Sequence, residues 1–186
     1  MNSLSRYFIK NVLSYGMIAS LLIIIVRAAV YLFNVSPTNV SFSLINFMYN
    51  LIVVSICLYL GTITYRKKTM SGNLTYGEGL LSCIGIGFVS VFLIYVYDII
   101  FHVFIDPGYL ISMFEPQLAA ISSNSSIPPM QRLELMEKLE KWASPVFYVS
   151  MNALMSFGIS IVIALITAIF TVRKRPIVIE NFEETN

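Results

Sequence analysis

Four long apolar segments constrain this chain more than any other feature. They cover residues 7–33, 40–64, 79–105 and 145–172. Each exceeds the ~20 residues that an α-helix needs to cross a bilayer core of ~30 Å. Only 12% of the residues are charged, whereas a water-soluble domain of this size needs more charge on its surface. The sequence therefore predicts an all-α, polytopic membrane protein, a four-transmembrane-helix bundle in one membrane domain over residues 1–186.

Basic residues on alternate connections predict the orientation of the bundle. Arg66, Lys67 and Lys68 follow the second segment, and residues 173–175, all basic, follow the fourth. Residues 34–39, between the first two segments, carry no charge. Because Lys and Arg near span ends are retained on the cytoplasmic side, we expect cytoplasmic N- and C-termini, including the tail 173–186. The connection 106–144 then forms an outer loop.

The outer loop contains a predicted amphipathic helix at residues 130–143. Its apolar side chains fall on one side at helical spacing, and its charged residues fall on the other: Glu134, Glu137, Lys138 and Lys141. This helix either lies on the membrane surface or packs on the outer ends of the four spans. Residues 109–121 are also apolar enough for the membrane surface, and Pro116 is expected to break any long helix there.

Arg27 and Asp98 are the two charges well inside the apolar segments. At 1.5 Å per residue, both lie about 9–10 Å below the outer boundary. Their matched depth and opposite charge predict an intramembrane ion pair, since a lone charge there costs from ~2.5 kcal/mol upward. In the alternative, Arg27 extends to the interface alone and Asp98 bonds a hydroxyl or a water. We expect the pair to fix helix register rather than to carry a substrate.

Three further polar residues lie within the segments. Asn46 and Asn50 share one face of the second segment, which predicts a polar interior facing the bundle; a polar pore lining is the alternative. His102, the only histidine, follows Asp98 by one turn. A proton relay with Asp98 is one interpretation, but the absence of a recognisable substrate path favours a local hydrogen bond.

Small residues recur at every fourth position in the last two segments. The third segment has Gly79, Cys83 and Gly87; the fourth has Ser156, Ser160, Ala164 and Ala168. Small residues allow helix backbones to approach closely, so these residues predict tight helix packing, either within one chain or between two copies.

No recognised catalytic arrangement occurs in the sequence. A single histidine excludes a His-Glu-x-x-His zinc motif, and neither a Gly-x-Ser-x-Gly turn nor a phosphate-binding glycine loop is present. We therefore expect no enzyme activity, no catalytic residues, no cofactor and no metal. The net charge of +2 gives no reason to expect a nucleic-acid partner.

Three motifs carry a resemblance to a known family. Residues 74–79 (Leu-Thr-Tyr-Gly-Glu-Gly) contain a predicted capping box at the start of the third span. Residues 105–109 (Ile-Asp-Pro-Gly-Tyr) follow that span, and residues 136–145 precede the fourth. In this order the motifs resemble the membrane family catalogued as domain of unknown function 4199. The resemblance implies a bacterial inner-membrane protein with four helices, and it assigns no activity.

The functional prediction is a non-enzymatic accessory, interaction or oligomeric component of the membrane. Its expected partners are the lipid bilayer and a second copy or another membrane protein. The alternative is a small transporter or channel subunit in which Arg27, Asp98, Asn46 and Asn50 line a path formed on oligomerisation. An intramembrane enzyme is the third interpretation. A polar cavity that reaches Asp98 would favour transport, and a dry, packed interior would favour the accessory role.

Overall fold

The described part of the chain is almost entirely helical. The structure, a computed structural model, describes residues 3–33, 40–69 and 72–172. Its helices are α1 (Ser3–Leu32), α2 (Val40–Thr69), α3 (Tyr76–Ile100), α4 (Tyr109–Ser123), α5 (Pro129–Ala143) and α6 (Pro145–Thr171). A π-helical turn, Phe101–Ile105, continues α3. The predicted connection 34–39 and the predicted tail 173–186, with Arg173, Lys174 and Arg175, lie outside the described residues.

Four of these helices are long and apolar enough to cross a membrane. They are α1, α2, α6, and α3 with its π-helical turn. The predicted all-α, four-span architecture is confirmed. Three helices extend beyond the predicted segments, because α1 begins at Ser3, α2 continues to Thr69 and α3 begins at Tyr76. Arg66, Lys67 and Lys68 therefore lie in the last turn of α2, where positive charge complements the helix dipole.

The start of α3 is fixed by the predicted capping box. The backbone N–H of Thr75 donates to the Glu78 carboxylate (2.9 Å), and the Thr75 hydroxyl oxygen accepts from the Glu78 backbone N–H (3.4 Å). These reciprocal bonds satisfy two backbone donors at the helix start. They set the residue at which the third span begins.

The spans alternate in direction, so the bundle has two different ends. Ser3, Thr69, Tyr76 and Thr171 lie at one end, called here the termini end, and the opposite end carries α4 and α5. Within the bundle, α3 packs most extensively against α6 and α1, and α2 contacts the other three spans. Toward the termini end, one core cluster joins all four spans: Val12, Leu58, Cys83, Ile86 and Ala164.

Side-chain hydrogen bonds also hold the termini end together. They join Asn11 Nδ2 to Gly61 O (2.9 Å), Tyr15 OH to Thr64 Oγ1 (2.8 Å), and Arg66 Nη1 to Thr171 O (2.9 Å). The first two connect α1 to α2, and the third connects α2 to the last carbonyl groups of α6. Because protein–protein hydrogen bonds compete with little water inside a membrane, these contacts close this end of the bundle.

The connection between α3 and α6 consists of two helices. α5 agrees with the predicted amphipathic helix, and its Lys138 Nζ donates to Glu134 Oε1 (2.7 Å), which lowers the pKa of that carboxyl group. The expectation that Pro116 breaks the preceding segment is wrong, since α4 continues through it. Pro116 is exposed, so the carbonyl group that it leaves without a helical donor lies on the open side of α4.

Candidate functional site

A cavity of about 640 Å³ lies between the spanning helices toward the α4–α5 end. All four spans of the single chain line it, together with α4. Its polar lining residues are Arg27, Tyr31, Ser43, Asn46, Asn50, Ser90, Tyr97, Asp98, His102, Tyr109, Gln117, Tyr148, Asn152, Ser156 and Ser160. The predicted path needed a second copy to form, whereas this cavity is formed within one chain.

Arg27 and Asp98 meet in the wall of the cavity. Arg27 Nη1 donates to Asp98 Oδ2, and the pair joins α1 to α3. The Arg27 side chain is 30% exposed and the Asp98 side chain 12%, so the carboxylate is the more enclosed partner. A second bond, from Tyr31 OH to Asp106 Oδ2 (3.2 Å), joins the same two helices nearer their ends. The structure thus brings together the two charges that the sequence analysis paired.

The two asparagines of α2 face the cavity. Asn50 Nδ2 donates to the backbone carbonyl of Asn46 (2.8 Å), which orients its amide group. The Oδ1 atoms of both residues are buried and have no hydrogen-bond partner among the described residues. Two residues that line the same cavity from one helix face therefore each hold a buried carbonyl acceptor without a described partner.

Three more polar residues of the cavity are more than nine-tenths buried and lack partners. Ser90 is 1% exposed, Ser160 3% and His102 8%. Ser90 Oγ, Ser160 Oγ and His102 Nδ1 make no hydrogen bond within the part of the chain that the structure describes. A buried polar atom without a partner costs about 1–3 kcal/mol, so these atoms need either water or a ligand. The local hydrogen bond expected for His102 is not formed by Nδ1.

An aromatic cluster lines the cavity on the side of α4. The His102 ring lies 5.7 Å from the Tyr109 ring and 5.9 Å from the Tyr148 ring, and Phe101 packs between Tyr31 and Tyr109. Burial raises the pKa of Tyr109, and the ionisable groups of Tyr148 and Asp106 raise it further. The Tyr109 hydroxyl therefore keeps its proton at neutral pH and can donate a hydrogen bond at the cavity rim.

The predicted small residues divide between packing and cavity. Cys83, Ala164 and Ala168 are fully buried, and Gly79 packs against Leu74 and Thr171. Gly87 packs closely against Ser160 across the contact between α3 and α6. Ser156 is exposed and lines the cavity instead of packing.

Sequence reasoning missed part of the site on α6 and α3. Tyr148, Asn152, Ser156 and Ser160 fall on one helix face at four-residue spacing and line the cavity together. That polar periodicity was visible in the sequence. Only Ser156 and Ser160 were named from it, and both were predicted to be small residues that allow tight helix packing. Ser90 carries no comparable signal, because one serine in an apolar helix commonly bonds its own backbone.

The cavity has the chemistry of a binding site for uncharged hydrogen-bonding groups. Its two ionised side chains neutralise each other, and its other polar groups are amides, hydroxyls and one imidazole. Among the described residues, no three His, Cys, Asp or Glu side chains lie close enough together to hold a metal ion. The arrangement can hold water or a small polar molecule inside the span of the bundle.

These features define a class of protein: an α-helical membrane protein with four spans and a polar cavity between them. A family model described as "Protein of unknown function (DUF4199)" matches residues 14–173, and the chain belongs to this family. The family resemblance of the three sequence motifs is thereby confirmed. No curated protein and no solved structure matches the chain.

Proposed function

We propose that this protein is a small transporter or transporter subunit that binds a solute in the cavity between its spans. One observation carries the proposal: the residues of α2, of α3 with its π-helical turn, and of α6 that line a single cavity hold five buried polar atoms with no described partner. They are Asn46 Oδ1, Asn50 Oδ1, Ser90 Oγ, His102 Nδ1 and Ser160 Oγ.

The number of these atoms distinguishes a binding site from a structural interior. A bundle that only needs to pack is more stable with apolar residues at such positions, since each unpaired buried polar atom costs about 1–3 kcal/mol. A solute or its accompanying water that bonds these groups removes that cost. Polar residues inside a membrane bundle are for this reason functional-site candidates by default.

The asymmetry of the bundle supports transport in particular. The termini end is closed by hydrogen bonds and by the core cluster, whereas the other half holds the cavity. Alternating access requires a second state in which the cavity communicates with the termini end instead. In this proposal, the observed state is the one in which the termini end is closed.

The remaining assignments belong to the same proposal. The protein resides in a bacterial inner membrane, as the family resemblance implies. Both termini are cytoplasmic, because Arg66, Lys67 and Lys68 lie at the termini end. It does not act as an enzyme: the carboxylate of the cavity, Asp98, is occupied by Arg27, and His102 is packed among aromatic rings. A second copy is a partner that assists transport.

Cysteine accessibility tests this function. Asn50→Cys and Ser156→Cys place thiols in the cavity wall, and the matched controls Ile52→Cys and Leu154→Cys place thiols on exposed apolar faces of the same two helices. The native Cys57 and Cys83 are buried, so the unmodified chain provides the background. A charged methanethiosulfonate reagent, which reacts only with hydrated thiols, is added to right-side-out and to inside-out vesicles.

We expect both cavity thiols to react from the α4–α5 side and, in the second state, from the termini side. The control thiols should react from neither side, because they face lipid. Reaction of the cavity thiols from one side alone would refute transport and leave a binding protein. Absence of reaction from both sides would mean a dry cavity and would refute solute binding as well.

The second candidate function is an accessory or interaction component. It is favoured by α5, which has no fully buried residue and exposes Met130 and Leu133. A helix of this kind can bind another membrane protein or lie on the bilayer. Mass determination of the intact particle, together with crosslinking from Leu133→Cys, tests the accessory role. A strict monomer that crosslinks to no protein excludes this role. The same result excludes an oligomeric transporter.

A further inference from the structure

The charge balance of the cavity restricts its ligand. Arg27 and Asp98 are the ionised residues among those that line it, and they pair with each other. An anionic ligand would compete with Asp98 for the guanidinium group, and a cationic ligand would compete with Arg27 for the carboxylate. Either would leave an uncompensated charge at membrane depth, which is costly. The cavity is therefore matched to a molecule without net charge.

The atoms that lack partners require a hydrogen-bond donor. The Oδ1 atoms of Asn46 and Asn50 only accept, and the bond from Asn50 Nδ2 to the Asn46 carbonyl fixes which end of the Asn50 amide is free. The hydroxyls of Ser90 and Ser160 both donate and accept. Hydroxyl or amide N–H groups on the ligand satisfy this set, whereas an acceptor-only phosphate or carboxylate group does not.

The remainder of the wall is apolar. It includes the side chains of Ile23, Phe47, Leu51, Ile94, Met155 and Ile159. These residues alternate with the polar ones on every span. A fully polar solute would therefore leave much of this apolar surface in contact with water. A molecule with a hydrocarbon part buries this surface at about 25 cal/mol per Å².

Residues of α2 and α6 that line the cavity are also exposed at membrane depth. Phe47 on α2 is 44% exposed and Met155 on α6 is 60% exposed, and both also line the cavity. Met155 lies ten residues after Pro145, about 15 Å along the helix, which is well inside a bilayer core. Contacts near Leu58 and Ala164 join α2 and α6 nearer the termini end. The exposure of Phe47 and Met155 therefore points to an opening of the cavity between α2 and α6, where it faces hydrocarbon.

From these observations we infer that the ligand of the cavity is an uncharged amphiphile. Its head group donates hydrogen bonds through hydroxyl or amide groups, and it enters from the bilayer between α2 and α6. This inference rests on the proposed function, because it takes the cavity as a binding site and names the class of molecule bound. The head contacts Asn50 and Ser90, and the hydrocarbon part lies along Phe47 and Met155.

Two lipids with the same acyl chains test the inference. Dioctanoylglycerol is uncharged and carries one hydroxyl group, whereas dioctanoylphosphatidic acid is anionic. Each is titrated into the full-length protein in detergent, and the bound fraction is measured by native mass spectrometry. Asn50→Leu and Ser90→Ala remove bonding groups from the cavity. Ser55→Ala is the matched control, because Ser55 Oγ bonds its own helix at Leu51 O (2.7 Å) and does not line the cavity.

We expect one dioctanoylglycerol per chain and little phosphatidic acid. Each cavity variant should weaken dioctanoylglycerol binding about threefold to thirtyfold, the value of one intramembrane hydrogen bond. Ser55→Ala should bind it like the unmodified chain. Equal binding of the two lipids, or binding that neither cavity variant changes, would identify lipid on the outer surface of the bundle and overturn the inference.

A second readout separates this inference from the proposed function. Dioctanoylglycerol should slow the reaction of Ser156→Cys with the charged thiol reagent, and phosphatidic acid should not. If Ser156→Cys reacts readily and neither lipid slows it, the cavity is hydrated but does not take this ligand, so the inference alone fails. If Ser156→Cys does not react at all, the proposed function itself fails.

Discussion

Removing the charge of Arg27 or of Asp98 alone should destabilise the bundle. The two losses in free energy of unfolding should together exceed the loss in the double variant. Each single variant, Arg27→Gln or Asp98→Asn, leaves the other charge inside the membrane without its partner. The double variant leaves two neutral amides that can bond each other. A double-mutant cycle on these two residues therefore measures the ion pair between α1 and α3.

The expected magnitudes follow from the exposure of the two side chains. A lone charge at the centre of a spanning helix costs ~2.5–3.5 kcal/mol on insertion scales, and breaking a buried pair costs ~3–5 kcal/mol. Asp98 is 12% exposed and Arg27 30%, and the longer arginine can extend toward the interface. Arg27→Gln, which strands the carboxylate, should cost about 3 kcal/mol, and Asp98→Asn about 2 kcal/mol.

The double variant should cost about 2 kcal/mol, which gives a coupling free energy of about 3 kcal/mol between the two positions. Reversible unfolding in mixed micelles, with sodium dodecyl sulfate as the denaturant, measures all four proteins under one condition. Steady-state accumulation in membranes provides a second readout. Additive effects of the two single substitutions, or unchanged accumulation of both single variants, would refute the reasoning, because an independent arginine and carboxylate predict no coupling.

One substitution at a helix contact and one at a helix cap give further expected outcomes. An added Cβ at Gly16 would lie 2.6 Å from Val89 Cβ, so Gly16→Ala should cost about 1–3 kcal/mol in the same micelle assay. Gly158→Ala, with no atom within 4 Å of the added carbon, is its control, and equal loss in both would contradict this packing. Thr75→Ala removes the cap of α3 and should cost about 1 kcal/mol. Faster hydrogen exchange should be confined to the backbone amides of the first turn of α3. Unchanged exchange of these amides would exclude the capping role.

The spans were predictable because each depends on the composition of a continuous segment. About 20 consecutive apolar residues are sufficient to determine a spanning helix, whatever surrounds it. The contact between Arg27 and Asp98 was predictable for a related reason: helix rise converts sequence position into depth, and charges at equal depth attract. Both inferences use local quantities that tertiary structure does not change.

The cavity was not predictable in this way. Hydropathy measures which residues a helix contains, not how far two helices lie apart, and the cavity is lined by residues beyond the cluster that contains Leu58 and Ala164. The π-helical turn Phe101–Ile105 was missed because its hydrogen bonds differ from those of an α-helix by one residue. Its residues pack against Tyr31 and Tyr109 from other helices, and no local pattern encodes those contacts.

The ion pair also has a consequence for the biogenesis of the protein. Synthesis proceeds from the N-terminus, so the helix that carries Arg27 is in the membrane before the helix that carries Asp98 leaves the ribosome. The first and third spans can then neutralise each other's charge while the fourth is still being translated. What remains uncovered at that moment is the face of α3 at Gly79 and Gly87, which packs against Thr171 and Ser160 of α6. A nascent chain truncated before α6 should therefore be charge-neutral within the bilayer but incompletely packed.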